Sequence, residues 1–278
     1  MSTLNLPTSH GLIHITDAGA LSAPSPALLL IHGNSSCSRI FTPIISNPNI
    51  ANHYRIITFD LPGHGSSSDA PDPPKTYTMH GYADLAVEVL AHLSISKVVV
   101  LGWSLGGHIG ISMIPLLPTG VIKGVMIVGT PPALGKEQTS AGFKDKDAHM
   151  GLAAQETFSA QNIVDFSRGA GPPFEDWMEH AVARTDGRAR RIMWEAFAGG
   201  EGVDQRKVVE EEEGVCIAVV NGGAEPFVEL DYLDDIKWKR LWGGKCVRLE
   251  GLGHAPFWEK PEVFAPVLES FLKDCESM

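Results

Sequence analysis

The chain has 278 residues, 44% of them hydrophobic and 20% charged, with a formal net charge of −11. This is the profile of a compact globular protein with material for a sizeable core, and the length suits one α/β core carrying an insertion rather than a disordered chain. The negative balance opposes a phosphate backbone, the basic cluster Arg188, Arg190, Arg191 is too short for a nucleic-acid stripe, and no apolar run reaches the ~20 residues of a membrane helix. Neither nucleic acid nor membrane is expected as a partner.

From the N-terminus, Met1–His10 lacks a charged stretch followed by an apolar one, so a soluble, cytoplasmic protein is expected. His10 and His14 have the i, i+4 spacing of a helical metal pair, but Leu12–Thr16 reads as a strand, and no metal site is assigned there. Short apolar runs bounded by Gly, Pro or Asp follow at Ala27–Ile31, Arg55–Phe59, Lys97–Leu101, Ile122–Val128, Val215–Val220 and Cys246–Leu249. Continuous rather than alternating hydrophobicity predicts strands buried on both faces, as in parallel sheets. Helix-period segments lie between them, the clearest placing Tyr82, Leu85, Ala86, Val89, Leu90 and Leu93 on one stripe. The fold class is therefore α/β, with a mostly parallel, doubly wound sheet.

After the first of these runs comes His32-Gly33-Asn34. Asn34 is either a backbone donor facing the site or a turn residue capping its own loop, and His32 is a brace. Phe59–Ser66, with Asp60 and His64, reads as a scaffold loop. The third run leads into Gly102-Trp103-Ser104-Leu105-Gly106 and then an apolar helix-like segment, the strand, G-x-S-x-G, helix context of a nucleophile elbow. The string alone arises by chance in on the order of one chain in ten of this length; the context raises it. So tight a turn leaves no room for side chains two residues either side of Ser104, which is why glycine stands there.

The strand rhythm breaks after Gly129-Thr130-Pro131-Pro132. Residues 131–214 are expected to form a helical cap on a core of residues 1–130 and 215–278. Within the cap Phe174, Trp177, Met178, Ala181 and Val182 keep helical spacing, as do Ile192, Met193, Trp194 and Phe197. Each of these aromatics either glues cap to core or lines a pocket at the carboxyl edge of the sheet, where α/β folds bind ligands. Glu210–Glu213 reads as a solvated helix end or loop.

A serine nucleophile needs a base and an orienting acid, in the chain order Ser, Asp or Glu, His. The loop after Val215–Val220 offers Glu225 as the acid. The loop after Cys246–Leu249 offers His254 as the base, with flanking glycines that let the loop swing an imidazole towards Ser104. The tetrahedral oxyanion is assigned to the N–H groups of Leu105 and Asn34. No dinucleotide fingerprint, Walker string or HExxH occurs, so no cofactor and no metal is expected. The four cysteines, Cys37, Cys216, Cys246 and Cys275, show neither zinc spacing nor a disulfide frame.

These strings resemble the α/β-hydrolase superfamily and, more narrowly, its N-acyl-homoserine lactonases, which are quorum-quenching enzymes. The resemblance runs through HGNSS (His32–Ser36), LPGHGSS (Leu61–Ser67), GWSLGGHIG (Gly102–Gly110) and GTPP (Gly129–Pro132). It continues through ARTDGRARRIM (Ala183–Met193), VVNG (Val219–Gly222), EPFVELD (Glu225–Asp231) and GHAPF (Gly253–Phe257). It implies a Ser104, Glu225, His254 triad, an oxyanion site at Asn34 and Leu105, and a substrate pocket with Trp103, Phe166, Trp177, Met178 and Trp194. Its implied substrate is a small acylated lactone. Where the relatives carry a cap tyrosine, the segment Asn162–Ser167 offers Phe166, and the H-x-H-x-D-H string of metal-dependent lactonases is absent, which implies metal-independent ring opening. A general carboxylesterase or carbon–carbon bond hydrolase using the same triad is the alternative, and a small-molecule receptor retaining the triad is a further one.

Overall fold

The computed structural model describes residues 1–144 and 151–277. Apolar runs with no polar face can only be buried between two layers, and the strands they form make the centre of one eight-stranded sheet of order β1-β2-β4-β3-β5-β6-β7-β8. The strands are β1 (Ser2–Thr8), β2 (Gly11–Gly19), β3 (Ala27–Ile31), β4 (Arg55–Phe59), β5 (Val98–Trp103), β6 (Ile122–Val128), β7 (Cys216–Gly222) and β8 (Val247–Leu249). From β4 across to β8 every pairing is parallel. β1 and β2 form an antiparallel hairpin, and β2 joins β4 antiparallel. Of the hairpin only Leu12–Thr16 stands out in the sequence. β1 is an edge strand with Leu6 as its one buried residue, so it lacks the continuous apolar run that marks the others and tolerates Pro7.

Alternate strand residues feed two cores. Leu29, Ile31, Val98, Val100, Val125 and Ile127 pack on the face covered by the helices Met79–His92 and Leu105–Met113. Leu28, Leu30, Val99, Leu101, Met126 and Val128 pack on the opposite face against Phe264, Leu268 and Phe271 of the helix Pro261–Glu276. The four cysteines are free thiols.

Between β6 and β7 the described residues form no strand. They form the helices Gly135–Gly142, Ala160–Ser167, Asp176–Arg184, Gly187–Gly199 and Gln205–Glu211. Phe174 does not join the stripe its spacing suggested: Glu175, at the N-cap of Asp176–Arg184, has extended dihedrals (φ −126°, ψ 146°), so the helix starts after it. Phe174 is 57% exposed and lies beneath the Arg168 guanidinium instead. The acidic run is the end of Gln205–Glu211, where Glu210 pairs with Arg206 one turn back.

Candidate active site

Ser104 joins β5 to the helix Leu105–Met113 with φ 54° and ψ −117°, a conformation that non-glycine residues hold only where the surroundings enforce it. The enforcement is visible. Ser104 N–H donates to Val128 O at 2.7 Å, and Thr130 Oγ1 donates to Ser104 O at 2.8 Å. A Cβ on Gly102 would stand 2.2 Å from Gly106 O, and one on Gly106 would stand 1.9 Å from Ile31 O. The loop after β3 passes so close over the serine that a Cβ on Gly33 would meet Ser104 Cβ at 3.1 Å.

Glu225 follows β7 and His254 follows β8, so both reach the carboxyl edge at which Ser104 stands. His254 Nδ1 lies 2.9 Å from both Oε1 and Oε2 of Glu225, with the two residues 7% and 1% exposed. A carboxylate accepting at Nδ1 places the proton there and leaves Nε2 as the basic nitrogen of the neutral ring. Phe227 N–H donates to Glu225 Oε1 at 2.9 Å and fixes the carboxylate. Around the imidazole, Phe227 packs edge-on at 4.9 Å between ring centres, and Trp103 Nε1 donates to His254 O at 3.0 Å. Gly129 forms the floor: a Cβ there would stand 2.4 Å from His254 Cε1.

The glycine-flanked loop is held rather than left to swing. The Glu259 carboxylate accepts Gly253 N–H at 2.9 and 3.0 Å and Ala255 N–H at 3.2 Å, gripping the chain on either side of His254.

Ser104, His254, Asn34 and Leu105 line one cavity together with Trp103, Phe166, Trp177, Met178 and Trp194, and Glu225 sits behind His254. The N–H groups of Asn34 and Leu105 donate to no acceptor among the described residues, and both residues line the cavity beside Ser104. The Asn34 side chain does not cap its own loop. Its Nδ2 donates to Ala153 O at 3.0 Å, across to the insertion, while its Oδ1 accepts from Ser35 Oγ at 3.2 Å. No hydrogen bond joins Ser104 to His254 among the described residues; such bonds commonly tighten only when substrate is engaged.

Arg190, in the short basic cluster Arg188, Arg190, Arg191, is 3% exposed. It donates from Nε to Gln155 O at 2.7 Å, from Nη2 to Glu156 O at 3.1 Å and from Nη1 to Ser35 Oγ at 3.2 Å. Its guanidinium lies 3.9 Å from the centre of the Phe158 ring, and burial lowers its pKa to about 10. Arg190 thus ties the loop after β3 to the insertion. The available signal was helical spacing: Arg190 stands three and seven residues before Met193 and Phe197, both buried.

His32 and His64 serve as scaffold. His32 Nδ1 donates to Gly33 O at 2.8 Å and its Nε2 accepts Leu61 N–H at 3.0 Å, while His64 Nδ1 donates to Pro62 O at 3.0 Å. Burial lowers the pKa of both, that of His64 to about 3. Among the described residues no group of three or more His, Cys, Asp or Glu is placed to hold a metal, and no helix is long and apolar enough to cross a membrane.

Residues 26–261 match the family model described as alpha/beta hydrolase fold. Among solved structures, the N-acyl homoserine lactonase AidH complexed with N-butanoyl homoserine superposes with a TM-score of 0.94 at 46% identity, covering 100% of this chain and 98% of that one. AidH variants superpose equally well: a serine-to-glycine variant complexed with N-hexanoyl homoserine lactone and a glutamate-to-glycine variant complexed with N-hexanoyl homoserine. Among curated proteins, the pimeloyl-[acyl-carrier protein] methyl ester esterase of Nitrosomonas europaea is 28% identical over 93% of this chain and 98% of its own length. The same esterase of Nitrosospira multiformis is 31% identical over 43% of this chain, a match spanning 44% of that protein.

Proposed function

This chain belongs to the alpha/beta hydrolase fold family, and from that premise we propose that it is a serine hydrolase opening the lactone ring of N-acyl-homoserine lactones. The observation that carries the lactone over other esters is the likeness to AidH, which extends over 100% of the chain and therefore over the helices between β6 and β7, at a TM-score of 0.94. Those helices bring Phe166, Trp177, Met178, Met193, Trp194 and Phe197 to the cavity wall, and substrate preference is set by the wall rather than by the triad. Residues 131–214 act as a cap in this reading. The AidH ligands support it as well: N-hexanoyl homoserine is N-hexanoyl homoserine lactone plus one water, and the lactone accompanies the variant that has lost a serine.

In the proposed mechanism, His254 Nε2 takes the proton of Ser104 Oγ as the oxygen attacks the lactone carbonyl carbon. Glu225 holds the resulting imidazolium in place. The carbonyl oxygen becomes an oxyanion held by the N–H groups of Leu105 and Asn34. Collapse breaks the bond to the ring oxygen, which receives the proton from His254, leaving an acyl ester on Ser104 and a tethered alcohol. Water then gives a proton to His254, attacks the ester and releases N-acyl homoserine with Ser104 reprotonated. Because the alcohol stays tethered, water has to reach the ester before the ring recloses. Trp177, Met178 and Trp194 contact the acyl chain, each buried CH2 contributing up to about 0.8 kcal/mol.

The test is to incubate the protein with N-hexanoyl- and N-dodecanoyl-homoserine lactone, with and without EDTA and beside Ser104→Ala, and to follow products by mass spectrometry. EDTA-resistant gain of one water, lost in the variant, is the expected result. Persistence of intact lactone, or cleavage at the amide, overturns the lactonase reading. A second reading, a carboxylesterase, is favoured by the Nitrosomonas europaea relative; turnover of acyl methyl esters with inert lactones would select it.

A further inference from the structure

His108 stands one helical turn beyond Ser104 and lines the same cavity, yet the proposed mechanism gives it no task. Its tautomer can be read from its neighbour. Gln205, 1% exposed, donates from Nε2 to His108 O and to Ser112 Oγ, both at 3.3 Å. Those bonds orient the amide, so the Oε1 that lies 2.7 Å from His108 Nδ1 is an acceptor and Nδ1 carries the ring proton. Burial holds the ring neutral, with a pKa lowered to about 4. Nε2 is then a bare lone pair.

That lone pair is not sealed in the protein. Among the described residues, the buried side-chain polar atoms lacking a partner are His64 Nε2 and Tyr82 Oη. Among the described residues His108 Nε2 has no hydrogen-bond partner, and the ring it belongs to lines the cavity. The surroundings are aromatic: Phe197 packs against the His108 ring at 4.8 Å and Phe143 at 6.0 Å, with Trp194 5.7 Å beyond Phe143. An acceptor set in an apolar wall discriminates, because a ligand with no donor leaves it unpaired and desolvated.

We propose that His108 is a specificity-determining residue whose Nε2 accepts a hydrogen bond from a hydroxyl on the acyl chain, so that the site selects hydroxyacyl lactones over plain acyl lactones of equal length. The inference deepens the lactonase reading and rests on it for the head group only. The Phe143 and Phe197 rings beside His108 suit an alkyl chain better than a polar head, which favours a donor on the chain.

The test compares kcat/KM for N-(3-hydroxyhexanoyl)- and N-hexanoyl-homoserine lactone in the wild type and in His108→Phe. Losses common to both substrates cancel in the ratio. The expected result is a hydroxy-to-plain ratio that falls about ten-fold or more in the variant; an unchanged ratio overturns the proposal. If the wild type opens neither lactone, the lactonase reading fails by itself, and the same ratio measured with 3-hydroxyhexanoyl and hexanoyl p-nitrophenyl esters decides the role of His108. A readout that needs no change at His108 is its 15N resonance in Ser104→Ala. The Nε2 signal should move upfield on adding the hydroxy lactone and stay in place with the plain one. Equal movement with both would assign the contact to the amide N–H they share and overturn the chain-hydroxyl assignment.

Discussion

In the proposed mechanism Glu225 acts through the tautomer it imposes, and its two oxygens are not equivalent. Oε1 is committed to Phe227 N–H at 2.9 Å. In Glu225→Gln the amide oxygen would take that place and turn the NH2 group towards His254 Nδ1. The ring would then carry its proton on Nε2, the nitrogen that has to receive one from Ser104. A kcat lower by about three orders of magnitude, with KM and melting temperature little changed, is the expected outcome; a loss under ten-fold would mean that the carboxylate does not set the tautomer. Residues whose roles follow from local backbone geometry were legible in the sequence. Ser104 is framed by Gly102 and Gly106 because each is pressed against backbone, and that constraint leaves a mark in the string. Arg190, Glu259 and His108 were missed because their roles consist of bonds to Ser35, Gly253 and Gln205, far off in sequence or set by a loop path that no short pattern encodes.

At the scale of elements, the site is the meeting of the ends of β3, β5, β6, β7 and β8, and small errors in how those ends pack are errors in chemistry. The end of β6 shows this. Gly129 has φ +63°, and its N–H donates to Asn221 Oδ1 of β7 at 2.7 Å, while its Cα side forms the floor under His254. In Gly129→Ala the left-handed backbone costs about 1–2 kcal/mol, and the new methyl has to displace the imidazole. Melting should fall by a few degrees while kcat falls at least ten-fold, measured on any substrate the wild type turns over. A melting shift without a kcat loss would show that His254 has room to yield. The strands themselves were readable because burial on both faces makes them continuously apolar. The edge strand β1 and the start of Asp176–Arg184 were not, since an exposed edge and a helix cap are decided by what lies beside them.

For the whole molecule, burial of neutral histidines sets how the fold responds to acid. His64 and His108 are buried with pKa values lowered to about 3 and about 4, and His32 is lowered by burial as well. The unfolded chain returns each to about 6.5. Above that pH every one of these rings is neutral in both states, and their contribution to stability is complete. As pH falls below it, the unfolded chain binds protons that the folded chain refuses, so stability declines until the folded pKa is passed. For His108 alone the full decline is on the order of 3 kcal/mol. The useful window is pH 7 to 5, where ordinary carboxylates remain ionised and the histidines dominate the slope. Urea unfolding across it should show stability falling with acid in the wild type, and a shallower fall in His108→Phe by up to one proton, about 1.4 kcal/mol per pH unit. Equal slopes would mean that His108 is protonated alike in both states, and would overturn the reading that burial keeps its ring neutral in the fold.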